Sequence, residues 1–273
     1  MNRITEPAEK LFNFTGRHVF VSGGSTGINF GIAEAFAKCG ADIALISRNK
    51  DRVDAAVNAL QVHGGKAYGV AADVRDVAAV EAALEASHKE FGDIDVLVSG
   101  AAGNFFATAT GMSTNAFKAV VDIDLIGSFN VLRLAHRFLR RPGASVINLS
   151  APQSVNPTSH QAHVCAAKAG VDMLTRVLAV EWGAEGIRVN SIMPGPIEGT
   201  EGLERIAPTA EAKSHMLSVI PMGRFGTKQD VANMALTLSS ELCAFVTGTV
   251  IPVDGGRYLS GGAGYLQTMG NEK

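Results

Sequence analysis

The chain has 273 residues, 47% of them hydrophobic and 18% charged, with a formal net charge of −2. That balance supports a large core and offers no basic surplus for nucleic acid or an anionic membrane surface. Cys39, Cys165 and Cys243 stand singly, with neither metal-ligand spacing nor a disulfide framework, so the expectation is no metal and a reducing, cytoplasmic setting.

Short apolar runs alternate with helical patterns along almost the whole chain. Strands are expected at residues 18–22, 42–47, 67–72, 95–99, 145–149, 188–192 and 249–253. Several are nearly all Val, Ile, Leu and Ala, as strands buried on both faces are. Helices are expected at 28–39, 50–63, 77–91, 113–139, 162–182 and 228–238. Strands alternating with helices predict right-handed βαβ units and a doubly wound parallel sheet, an α/β Rossmann-type single domain over residues 1–273. The stretch from Pro194 to Glu211 is rich in Gly, Pro and Glu, and predicts a small helical lid over about 194–215. Residues 1–14 hold no apolar run, and no stretch approaches the roughly 18 apolar residues of a membrane span. The ending Gly270-Asn271-Glu272-Lys273 matches no lipidation or peroxisomal address.

The first strand ends in Ser22-Gly23-Gly24-Ser25-Thr26-Gly27-Ile28-Asn29, and a helix follows. Glycines let a backbone turn tightly against a pyrophosphate, and the helix N-terminus offers free N–H groups to its oxygens. A plain strand–helix turn is the alternative, but the loop opens a full βαβ series. Asn29 takes the place of the usual final glycine. Asn tolerates unusual backbone angles, so binding is expected to survive with some loss of affinity. Strand two ends at Ser47-Arg48, 21 residues after Gly27. An acidic residue there would suit a ribose 2′-hydroxyl, whereas Arg48 suits a 2′-phosphate, so the cofactor expected is NADP(H). Strand three leads into Asp73-Val74, where Asp73 either meets the adenine edge or caps the next helix.

These residues carry a resemblance. The glycine loop, Asp73, Ala101-Ala102-Gly103, Lys168, Pro194-Gly195-Pro196 and Val253-Asp254-Gly255-Gly256 resemble the short-chain dehydrogenase/reductase superfamily over residues 13–258. Within it, four segments are most similar to the peroxisomal type of 2,4-dienoyl-CoA reductases. They are Ala101-Ala102-Gly103-Asn104-Phe105, Asp122-Ile123-Asp124, Leu178-Ala179-Val180-Glu181-Trp182-Gly183 and Pro194-Gly195-Pro196-Ile197-Glu198-Gly199-Thr200-Glu201-Gly202-Leu203. The resemblance implies an auxiliary enzyme of fatty-acid β-oxidation that reduces 2,4-dienoyl-CoA to 3-enoyl-CoA with NADPH. It places Ala101, Gly103, Pro194, Gly195, Ile197 and Thr200 around the cofactor, and implies a homotetramer.

The superfamily carries a Tyr four residues before the active-site Lys and a Ser thirteen residues before that Tyr. Here those positions are Val164 and Ala151, and Tyr68, Tyr258 and Tyr265 all lie far from them in sequence. A general acid contributes about 10²–10⁴-fold to such a reaction, so ketone reduction would be badly handicapped. Conjugate hydride delivery relaxes the need, because the proton goes to carbon. By resemblance, Asp124 and Lys168 hold the proton-donating water, and Lys168 also bonds the nicotinamide ribose. A Lys beside a carboxylate favours the charged pair. His160 and His163 are weaker candidates for a replacement acid, and Cys165 reads as a small buried residue.

For the acyl-CoA substrate, Phe105 matches a contacting position of the resembling family. Ser113 and Asn115 open the long helix toward the pantetheine or merely cap it. Arg75 and Arg205 are candidate partners of the CoA phosphates. Two other readings stay open at this point: a short-chain dehydrogenase acting on another carbonyl or alcohol through a non-Tyr acid, and a non-catalytic NADP-binding scaffold.

Overall fold

A computed structural model describes residues 12–262. The terminal segments, including the Gly270-Asn271-Glu272-Lys273 ending read above for an address, lie outside the described residues. Seven parallel strands form a sheet in the order β3–β2–β1–β4–β5–β6–β7. They are β1 (His18–Ser22), β2 (Asp42–Ser47), β3 (Ala67–Ala71), β4 (Ile94–Ser99), β5 (Ser145–Leu149), β6 (Arg188–Pro194) and β7 (Val250–Val253). The order reverses between β1 and β4, which opens a crevice beyond the carboxyl ends of those strands.

Side-chain alternation along each strand feeds two cores, one per face. Val19, Val21, Ile43, Leu45, Val96 and Val98 pack with the helices Gly27–Lys38 and Lys228–Ser239. Phe20, Ala44, Ile46, Leu97 and Val146 pack with the helices Val77–Phe91, Gly127–Ala135 and Ala162–Trp182. Buried Val, Leu, Ile or Phe side chains contribute about 1.5–3 kcal/mol each. Helix starts are fixed locally. Asn49 accepts from Arg52 N at 2.9 Å, Asp76 from Ala79 N at 3.1 Å, and Thr227 and Asp230 form a capping box.

The structure differs from the sequence reading in the long helix expected at 113–139. Regular helix runs over Thr114–Val121 and Gly127–Ala135, and a π-helical segment, Asp122–Ile126, separates them. A π segment inserts an extra residue into the hydrogen-bond ladder and is frequent at functional sites. Gly127 follows it, packed so closely on Val74 that a Cβ there would lie 2.4 Å from Val74 Cγ2. The segment expected as a lid contains the helix Glu201–Ile206 and most of a second, Ala210–Ser218. Among the described residues no helix is long and apolar enough to cross a membrane.

Candidate active site

A cleft of about 1920 Å³ opens above the carboxyl ends of the strands. Its floor is the glycine loop. Gly23, at φ 73°, sits so close to β4 that a Cβ would stand 2.9 Å from Ala101 Cα. Gly27, at φ 63°, starts the helix, and the Thr26 hydroxyl makes no cap hydrogen bond. The first-turn N–H groups and that hydroxyl face the cleft, which is lined here by Gly23, Ser25, Thr26, Gly27 and Ile28. Ser22 is a correction, because it lies fully buried beneath the loop rather than on the cleft wall. Asn29 is another. It stands within the helix, and its Nδ2 donates to Gly100 O at 2.8 Å and Gly23 O at 3.3 Å. The amide braces the loop to the end of β4 instead of loosening it. Gly100 makes room, since a Cβ there would come within 2.2 Å of Asn29 Oδ1.

At the far end of the cleft stand Ser47, Arg48, Asn49 and Arg52, with Asp73 and Val74 opposite. Two guanidinium groups therefore line this end. Arg52 came forward only through the fold, one turn after Arg48. Asp73 is gripped by Arg75, with Nε to Oδ1 at 3.0 Å and Nη2 to Oδ2 at 2.7 Å. That pairing holds the Asp73 carboxyl below the usual carboxylate range. Arg75 is consequently spent on Asp73 and does not line the cleft, so its expected role toward CoA phosphates is withdrawn.

At the centre, the π-helical segment presents Asp124 toward Lys168 of the helix Ala162–Trp182. Both are buried, at 1% and 6% exposure, with Lys168 Nζ 3.7 Å from Asp124 Oδ2. Asp124 Oδ1 accepts from Gly103 N at 2.7 Å, while Oδ2 has no hydrogen bond among the described residues. Lys168 Nζ donates to Leu149 O at 2.9 Å. Burial raises the Asp124 carboxyl above its ordinary value, and Lys168, the Gly103 N–H and His163 pull it back in part. Val164 and Ala151 line the cleft beside this pair, so hydrocarbon stands where hydroxyls would be. His163 is fully buried, with both ring nitrogens unpartnered among the described residues, edge-on to Phe105 at 4.3 Å between ring centres. Cys165 is half-buried rather than buried, its Sγ reaching Thr158 O at 4.0 Å.

Ala101, Gly103, Pro194, Gly195, Ile197 and Thr200 line the middle of the cleft, and Arg205 its lid side. Thr200 caps the first lid helix by accepting from Leu203 N at 3.2 Å. Phe105 turns inward onto His163, and its neighbour Phe106, 47% exposed, lines the cleft in its place. Ser113 caps Ala116 N at 3.2 Å, and neither it nor Asn115 lines the cleft. The guanidinium of Arg205 donates to the Asn104 carbonyl. Asn104, Gln153 and Gln161 also line the cleft without standing out in the sequence, although the two glutamines lie between the positions of the absent hydroxyls. Tyr258 looks distant in the sequence, yet it lines the cleft.

Comparison with known proteins agrees with this geometry. A family model described as Enoyl-(Acyl carrier protein) reductase matches residues 23–257. A rat protein named peroxisomal 2,4-dienoyl-CoA reductase [(3E)-enoyl-CoA-producing] is 46% identical over 244 residues, covering 88% of this chain and 83% of its own. The Arabidopsis thaliana protein of the same name is 41% identical over 255 residues, covering 90% and 85%. A solved short-chain type dehydrogenase/reductase from Mycobacterium ulcerans superposes with a TM-score of 0.87 at 33% identity, over 91% of this chain and 92% of its own. The fold, the cofactor-type cleft and these relatives agree, and the chain belongs to the short-chain dehydrogenase/reductase family of oxidoreductases.

Proposed function

We propose that this enzyme uses NADPH to reduce the conjugated double bonds of a 2,4-dienoyl-CoA thioester to a 3-enoyl-CoA. The observation that carries the reading is the buried Asp124–Lys168 pair set beside Val164 and Ala151. This centre can order a water, yet neither Val164 nor Ala151 offers the hydroxyl that would protonate an alkoxide there. The glycine cradle, which a Cβ at Gly23 would fill, suits a pyrophosphate. Arg48 and Arg52 on the cleft wall favour a 2′-phosphate, hence NADP(H) over NAD(H).

When bound, the nicotinamide supplies the hydride. Ser25, Thr26 and the first helical N–H groups would hold the phosphates, and Lys168 would hold the ribose. Hydride accepted at C5 of the dienoyl chain would spread negative charge to the thioester oxygen. A water held between Asp124 Oδ2 and Lys168 Nζ gives its proton to C2. The double bond is left between C3 and C4. Burial keeps the pair free of competing water and strengthens its electrostatics. Arg205, on the lid side, meets the CoA phosphates. The names of the relatives and the acyl-type family model support the same substrate class.

The reading extends to assembly and location. Met173, Val177 and Val180 form an exposed apolar stripe on the helix Ala162–Trp182, with Ile126 and Phe129 exposed on the preceding helical segments. A homotetramer would cover these faces. A cytoplasmic location rests on three cysteines spaced in the sequence without a disulfide framework, and fractionation of the native cells tests it.

The direct test follows NADPH oxidation with a short 2,4-dienoyl-CoA, with Asp124→Ala and Lys168→Ala measured beside the parent. Turnover that collapses in both variants is the expected result. Turnover indifferent to Asp124→Ala removes the proton relay, and no turnover despite tight NADPH binding removes the substrate assignment.

A further inference from the structure

The cofactor end of the cleft and the lid meet through one ion pair. Arg52 Nη1 donates to Glu201 Oε1 at 3.4 Å, joining residues 149 positions apart. Arg52 stands in the first turn of the helix Lys50–Gln61, which Asn49 caps. Glu201 is the first residue of the helix Glu201–Ile206, which Thr200 caps. Both line the cleft, as does Arg48. Of these two arginines, Arg52 alone has an ion-pair partner among the described residues. The pair crosses from the wall that follows β2 to the segment that follows β6.

Its geometry is that of an exchangeable contact. The separation is long for a charge-assisted hydrogen bond, which is usually about 2.7–2.9 Å. The two side chains are 55% and 72% exposed, and an exposed pair of this kind contributes little to stability. A phosphate monoester carries a charge of about −1.5 to −2 and takes a guanidinium in bidentate fashion. It therefore displaces a single carboxylate from Arg52. Glu201 loses little on release, because a carboxylate in the first turn of a helix is favoured by the helix dipole.

The same helix reaches the catalytic centre. Arg205 donates to the Asn104 carbonyl, and the adjoining Gly103 N–H donates to Asp124 Oδ1. Glu201 and Arg205 are four residues apart, so they share a helix face and lie roughly 6 Å apart along the axis. One short helix thus touches the cofactor-end arginine at its start and the loop beside the Asp124–Lys168 pair near its end. Leu203, 3% exposed, anchors the helix between these contacts.

We infer that Glu201 is a specificity-determining residue that competes with the cofactor's 2′-phosphate for Arg52, so that binding of this phosphate releases the start of the lid helix. This rests on the NADP(H) reading above. A cofactor without the 2′-phosphate leaves the Arg52–Glu201 pair closed. Glu201 thus lowers the affinity for the phosphorylated cofactor and lets that cofactor alone loosen the lid.

The test uses adenosine 2′,5′-bisphosphate and AMP, which differ only in the 2′-phosphate, titrated into the full-length enzyme by calorimetry. Glu201→Gln is expected to tighten the bisphosphate about threefold, the scale of one exposed ion pair, and to leave AMP unchanged. Arg52→Gln is expected to weaken the bisphosphate by about tenfold or more, with AMP again unchanged. In the Arg52→Gln background the Glu201→Gln gain should shrink toward none, since both act on one contact. Amide exchange over residues 201–210 is followed in parallel. The bisphosphate should speed it in the parent and AMP should not, while Glu201→Gln should show the faster exchange with neither ligand. A Glu201→Gln variant that binds both ligands more weakly reveals a strap closed over the cofactor and overturns the inference. Tight bisphosphate binding with affinity and exchange untouched by Glu201→Gln removes this inference alone. A parent that binds the bisphosphate no more tightly than AMP removes the NADP(H) reading, and the inference falls with it.

Discussion

Two buried carboxylates near opposite ends of one strand show how differently this protein uses the same group. Asp95, the second residue of β4, accepts from Arg17 Nη1 at 2.7 Å, from His18 N at 2.9 Å and from both Nε and Nη2 of Arg140. Asp124, packed against the loop beyond the other end of β4, accepts from Gly103 N and leaves Oδ2 unpaired, with Lys168 at 3.7 Å. Asp95 is 5% exposed and Asp124 1%, so burial does not separate them. Hydrogen-bond saturation does. A fully engaged carboxylate has nothing left to offer a substrate or a water, whereas an oxygen left unpaired in a dry site is held at a cost and remains available.

The sharpest test exchanges the two consequences. Asp124→Ala should lower kcat/KM for a dienoyl-CoA by about 10²–10⁴-fold, read from initial rates, while its urea midpoint moves little. Asp95→Ala should do the reverse. Leaving Arg17 and Arg140 beside an empty site should cost about 3 kcal/mol in chemical denaturation, with kcat of the remaining folded enzyme unchanged. An Asp95 variant that keeps its stability but loses its rate would break the comparison.

The pH dependence sharpens it further. Burial raises the folded Asp124 carboxyl above 3.8, so the folded state holds that proton more tightly than the unfolded chain. Its contribution is fully present below the unfolded value and is lost as pH rises through the folded value. The stability of the parent minus that of Asp124→Asn should therefore fall as pH climbs from 3.8. Asp230 has the opposite sign. Its hydrogen bonds from Arg224, and then from Thr227, hold it down at about 2. Its contribution is present above 3.8 and disappears as pH falls through about 2. Asp230→Asn should cost about 1 kcal/mol at pH 7, a value discounted for its exposed partner, and nothing near pH 2. Urea titrations across pH 2–8 read both slopes. The smallest effect is expected for His160→Gly, which relieves a left-handed residue and should change stability by no more than about 1 kcal/mol in either direction, as relief of strain offsets a floppier unfolded chain.

Much of the cofactor half of the cleft was legible from residue order alone. The glycine loop after the first strand, Arg48 at the end of the second and Asp73 after the third all stand where a parallel sheet delivers strand ends. The absence of Tyr and Ser at 164 and 151 was equally plain. The substrate half was less so. Apolar periodicity in residues 113–139 registers a continuous helix and is blind to one extra residue in its hydrogen-bond ladder. That insertion, at Asp122–Ile126, is what carries Asp124 to Lys168. Arg75 looked free because its partner, two residues away, could be read as an adenine contact or a cap.

The sequence by itself determined the class of protein: buried strands in parallel order, a glycine-rich turn opening the first helix, an arginine at the end of the second strand, and Val164 and Ala151 where the superfamily carries hydroxyls. Local pattern suffices for these, since each depends on neighbours in the chain. Tertiary structure decided which polar groups are spent and which are free. The Asn29 brace to Gly100, the Arg205 grip on Asn104 and the Gln161–Asn104 bond join residues 71, 101 and 57 positions apart. Hydrogen bonding is short-ranged and directional, so these pairings exist only once packing has fixed the backbone to within a few tenths of an ångström.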